Sequence, residues 1–150
     1  MISVQANFNM KSIHDYMEKK VNEKIDKVVD LLRKKGMEFT TKARKKVYAA
    51  NPYNNITYNL VSSVGFAIAK NGVIVESYFP LEATGVEGKA KGEALAETTA
   101  INLAGRNDIV LILAAGEDYA SYVQAKGKDV VNGSSDEFTA YVLQTWGAYR

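Results

Sequence analysis

The chain of 150 residues contains no cysteine and one histidine. Disulfides and thiolate metal sites are therefore excluded, which fits a reducing compartment. Any imidazole chemistry would rest on His14 alone, and no carboxylates cluster beside it in sequence. That leaves little for a metal site to build on. His14 falls in the first turn of a charged helical segment and is expected to face solvent. A Gly-x-Ser-x-Gly nucleophile elbow is missing as well. No apolar run approaches the roughly 20 residues that a membrane-spanning helix needs. Residues 1–8 lack the basic-then-apolar layout of a secretion signal, so the chain is expected to begin life in the cytoplasm. The expectation from these gaps is a protein with no catalytic, cofactor-binding or metal site, and not an enzyme.

What is present is ordinary in amount and uneven in placement. Apolar residues make up 47% and charged residues 24%, as in a typical globular domain, and the length suits one domain, residues 1–150. Lys11 to Lys46 holds twelve Lys/Arg against six Asp/Glu, a net of +6. The remainder carries −4. Such asymmetry can steer a partner, although a solvated helix face is the plainer reading.

Residues 1–10 alternate Val4, Ala6 and Phe8 with polar neighbours, a period-2 pattern expected for a short strand or arm. Ser12 offers a helix cap, with Asp15 in the first turn. Ile13, Met17, Val21, Ile25, Val28, Leu32, Phe39, Ala43 and Val47 then recur at helical spacing once Gly36 is counted in the stripe. An unbroken helix over 12–47 would be about 54 Å long, whereas a compact domain of this size is only about 40 Å across. The helix must therefore break near Gly36, bend within the fold, or project and require a partner to cover it.

Residues 49–55 read as a loop and residues 57–63 as a turn or short helix. A hairpin follows. Val64, Phe66 and Ile68 form a bulky face and Gly65, Ala67 and Ala69 a smooth one, suited to a closely packed helix. Asn71-Gly72 is the preferred pair for a type I′ turn. Pro80 ends the hairpin, and the glycines of residues 82–92 suggest a mobile loop. Residues 93–103 are expected to be helical, with Leu95, Thr99 and Leu103, or Ala94, Ile101 and Ala104, buried and Gly105 as the stop.

The segment 107–131 is the most distinctive in the chain. Ile109–Leu113 reads as a central strand covered on both faces. Ala114-Ala115-Gly116 permits close backbone approach, Glu117–Ala125 a short aromatic helix, Gly127 its stop, and Val130-Val131 a last short strand. It is a packing-and-corner device without a reactive group. Ser134 with Glu137 fits a capping box ahead of a final helix, residues 134–149, bearing Phe138, Tyr141, Val142 and Trp146.

Other motifs resolve to the same end. Gly85–Gly92 has two residues between its first glycines where a P-loop has four, and Ala90 stands after Lys89 where Ser or Thr is needed. The paired carboxylates Glu117-Asp118 and Asp136-Glu137 lie at expected helix starts, where they complement the dipole. Arg33, Lys34, Lys35, Lys42, Arg44, Lys45 and Lys46 are candidates for contact with DNA or with a protein partner. No zinc finger, RNP motif or clear helix-turn-helix accompanies them.

The order of pieces, with Thr57, Asn59, Leu60 and Ser63 in one turn and Ala115-Gly-Glu-Asp-Tyr-Ala-Ser-Tyr-Val-x-x-x-Gly127 in a later segment, resembles the tail-completion (neck) proteins of long-tailed bacteriophages. The version it resembles is associated with phages and prophages of gut Bacteroidetes. The likeness covers about residues 12–131, and the second motif is the more specific. Tyr58 stands where the family pattern has glycine, and Pro52–Thr57 replaces the usual Ala-Pro-x-Asp-Thr-Gly lead-in. The resemblance implies an α+β subunit, with a long N-terminal helix packed on a small, mainly antiparallel sheet and further short helices. It implies a homo-oligomeric ring in the virion neck. The partners it implies are the connector or stopper and the tail-tube or terminator proteins, with passing contact to DNA and no membrane. A small nucleic-acid-binding protein using the basic helix is the alternative.

Overall fold

The computed structural model describes residues 9–50, 57–116 and 132–147. The order is helix α1 (Met10–Ala50), a short helix α2 (Asn59–Ser62), strands β1 (Val64–Lys70) and β2 (Val73–Tyr78), helix α3 (Val86–Leu103), strand β3 (Ile109–Ala115) and helix α4 (Asn132–Gly147). The architecture is α+β: a long N-terminal helix on a small antiparallel sheet of order β2-β1-β3, with further helices.

Helix α1 runs unbroken for 41 residues, roughly 60 Å at about 1.5 Å per residue. It starts two residues before the expected cap. The Asn9 side-chain oxygen accepts the Lys11 N–H at 3.0 Å, and the Ser12 hydroxyl donates to the Asn9 carbonyl at 2.7 Å, so Asn9 serves the end assigned to Ser12. Gly36 does not break the helix. A Cβ there would sit 2.7 Å from the Phe66 ring, so the missing side chain lets the helix lie against β1. The buried stripe Leu32, Phe39, Ala43 and Val47 then packs on Phe66, Ile68, Val64, Leu60 and Val61.

The hairpin forms as its sequence predicts. Asn71 (φ 55°) and Gly72 (φ 77°) take the left-handed conformations that a type I′ turn requires. Register shifts between Ile68 and Ala69, leaving Val75 as the extra residue of a β-bulge. The smooth face of β1, Ala67 and Ala69, receives Ala96 and Ala100 from α3 and Ala104 just after it.

Several expectations are corrected. Residues 82–92 are not a loop throughout: α3 begins at Val86, and Gly88 and Gly92 are buried within it. Both are glycine because backbone meets backbone. Gly88 lies on Asn59, and Gly92 lies on the Ser63 carbonyl and on Gly116. The buried face of α3 is Gly88, Gly92, Ala96 and Ala100, while Leu95, Ile101 and Leu103 are exposed. The larger side chains are turned out because a sheet face lined with alanine and glycine leaves no room for them. Gly105 follows the helix end without a left-handed φ; the helix closes instead with Ala104 extended. The central strand is β1, buried at six consecutive positions, whereas β3 pairs on one side only among the described residues. Helix α4 starts at Asn132, which places Ser134 inside its first turn and not at the cap. The expected strand over 1–8, the loop over 51–55, the helix over 117–125 and the strand at 130–131 lie outside the described residues.

Candidate interaction surface

The most unusual surface belongs to α1. Its apolar stripe is buried from Leu32 to Val47, half-buried at Ile25 and Val28, and uncovered before that. Met10, Ile13, Tyr16, Met17 and Val21 are all exposed, Met17 to 60% and Val21 to 54%. One face of one helix is thus core over its second half and bare over its first. Such a contiguous apolar strip marks an interaction site more often than isolated exposed residues do. His14 lies on this exposed segment. Among the described residues no three His, Cys, Asp or Glu side chains are grouped to hold a metal ion.

The seven candidate cations do not form one patch. Arg33 pairs with Asp30 at 2.7 Å and with Glu76 on β2, whose hydrogen bond raises the guanidinium pKa. Lys35 meets Glu38 at 2.8 Å and lies 4.1 Å from the Tyr141 ring centre, a cation–π contact. Lys42 bonds Glu137 at 2.6 Å, which raises its pKa and ties α4 to α1. Arg44 is the most committed. It donates to the carbonyls of Val61 and Pro80 at 2.7 Å each and pairs with Glu82 at 2.8 Å, with its side chain 12% exposed. It fastens α1 to the end of α2 and to the chain leaving the hairpin. Lys34 and Lys45 are exposed and enter no ion pair among the described residues; Lys46 is half-buried.

Tyr48 stands beside Arg44, and burial, then the Glu82 carboxylate, pushes its phenol up. The cleft between α1 and α4, about 180 Å³, is lined by Lys35, Glu38, Phe39, Lys42, Glu137 and Tyr141 among others. Lys42 pairs with Glu137 across the cleft and Lys35 reaches the Tyr141 ring, so the arrangement serves to seat α4.

A second exposed face lies on α3. Val86 (63% exposed), Ala90, Ala94 and Ile101 (45%) follow one another at helical spacing, with Glu93 and Glu97 along one edge. Sequence reasoning offered Ile101, with Ala94 and Ala104, as one of two alternative buried sets. The signal that would have corrected it is the small-residue series Gly88, Gly92, Ala96, Ala100 and Ala104 at intervals of four, matched to the smooth face of β1. The Arg44 clamp left no trace in the sequence beyond a basic residue in a basic run.

No helix among the described residues is long and apolar enough to cross a membrane. No protein-family model, no curated protein and no solved structure matches this chain.

Proposed function

We propose that this chain is a structural subunit of a ring of identical copies, the neck or tail-completion ring that joins the connector to the tail tube of a long-tailed bacteriophage. The observation that carries the reading is the bare first half of α1, an apolar strip that the other described residues of its chain leave uncovered. A self-assembling subunit supplies the missing cover from a neighbour. Tyr58 adds support. It adopts a left-handed conformation (φ 54°, ψ 12°) at the one turn position where the family pattern has glycine, the residue most at ease there. The backbone of the turn is thus of the glycine type despite the substitution.

On this reading the protein works in the virion neck, after a period in the host cytoplasm. Its partners are sister copies, the connector or stopper, and the tail-tube or terminator proteins. It catalyses nothing, holds no cofactor and engages no membrane. DNA passing the ring would find Lys34 and Lys45 available. The rival, a nucleic-acid-binding protein, is less favoured because Arg33, Lys35, Lys42 and Arg44 are already committed within the chain.

Electron microscopy of virions, with the protein tagged, tests the proposal. A ring of this chain at the head–tail junction is expected. Absence of the protein from virions, together with no closed assembly in concentrated solution, would overturn it.

A further inference from the structure

We infer that the uncovered stripe of α1 docks on the outer face of α3 of a second copy of this chain. The inference rests on the reading of the protein as a self-assembling subunit and names the two surfaces that meet.

Geometry first narrows the occupant. Two α1 helices cannot pair side by side in parallel, because each chain's own sheet already fills the stripe face from Leu32 onward. Antiparallel pairing of two α1 helices brings like edges together. At about 100° per residue, Lys20, Lys24 and Lys27 fall along one edge of the stripe. They would then face the same three lysines of the other copy.

The outer face of α3 lacks both faults. It is exposed, and its 18 residues are long enough to cover the bare stripe, Met10 to Val21. Glu93 and Glu97 lie along the corresponding edge of its apolar row. When two helices pack antiparallel, corresponding edges meet, so the lysine edge of α1 lies against the glutamate edge of α3. One register satisfies charge and size together. With Ile13 opposite Ile101, Met17 falls beside Glu97, and Val21 and Ile25 fall near Ala94 and Ala90, larger side chains over alanine. Lys20 then sits between Glu93 and Glu97. The contact is head-to-tail, because each copy offers one stripe and one α3 face. Such contacts extend until rotation closes them, which is how rings form.

The full chain has no cysteine, so disulfide trapping is free of background. Chains carrying Val21→Cys, mixed with chains carrying Ala94→Cys and oxidised, are expected to give a mixed cross-linked dimer, and neither variant alone should do so. Lys20→Glu should weaken assembly at least tenfold, and Lys20→Glu combined with Glu97→Lys should restore most of it, with each variant's thermal unfolding unchanged. Self-linking of the Val21→Cys chain in place of the mixed product would overturn the inference. So would a chain that stays monomeric and unlinked at every concentration. A neck ring indifferent to these substitutions would overturn this contact and leave the ring reading standing. Trapping and charge rescue without any ring in virions would uphold the contact and overturn the ring reading.

Discussion

The two halves of α1 share an amino-acid pattern and differ in circumstance. From Leu32 to Val47 the stripe is closed over by the sheet, α2 and α4; from Met10 to Val21 the same stripe meets water. Apolar spacing alone therefore does not decide whether a helix face is core or contact surface. Whether another element reaches it does. The covered half contributes to the stability of a single chain. The bare half, unless a partner covers it, contributes almost nothing beyond helix propensity.

Substitutions on either side of that boundary should separate widely. Phe66→Ala, beneath the covered half, should destabilise the chain by about 3–5 kcal/mol in chemical denaturation. Met17→Ala, on the bare half, should shift the stability of the dilute chain by less than about 0.5 kcal/mol. Equal effects from the two would erase the distinction between the halves.

Arg44 should come next in size. Arg44→Met leaves two partly buried carbonyls and Glu82 without their donor and is expected to cost about 2–3 kcal/mol in the same measurement. A near-neutral result would mean that solvent replaces the clamp.

Gly36→Ala sharpens the comparison further. In an exposed helix interior this change should gain about 1 kcal/mol of helix propensity. Here the new methyl meets the Phe66 ring, so a net loss of about 1–3 kcal/mol is expected. A gain in melting temperature would show that the helix can lift off β1 without penalty.

The smallest effect is electrostatic. Lys42 has its pKa raised by Glu137 in the folded chain, so this pair contributes fully below the ordinary lysine range near 10.4. The contribution is lost as pH climbs through the raised value. Glu137→Gln should flatten that alkaline decline slightly, as read from melting temperatures between pH 9 and 11.5 (about the stated lysine range). An unchanged slope would show that solvent screens the pair entirely.

Much of this fold was legible before any coordinates. Period-2 alternation, the Asn71-Gly72 turn and the long apolar stripe are local signals, because backbone sterics and helical periodicity act within a few residues. The misreadings share one cause. Glycines at 88 and 92 resembled a loop because glycine is a poor helix former, yet close packing of α3 against α2 and β1 overrode that propensity. The large residues of α3 were placed inside because they are apolar, while the space beneath admits only alanine and glycine. In the candidate surface, the basic run was visible but its commitments were not. Arg33 and Arg44 find their carboxylates on segments more than thirty residues away.

The sequence by itself determined the long helix α1, the β1–β2 hairpin with its Asn71-Gly72 turn, which face of β1 would be smooth, and that α1 was too long for its own domain. Those features follow from covalent geometry and side-chain shape, acting at short range. Only the tertiary structure decided that α1 would stay whole past Gly36, that β1 would take the centre of the sheet, and where the covered stripe would end. Those outcomes depend on which distant surfaces fit closely enough to exclude water, and no single stretch of chain carries that information.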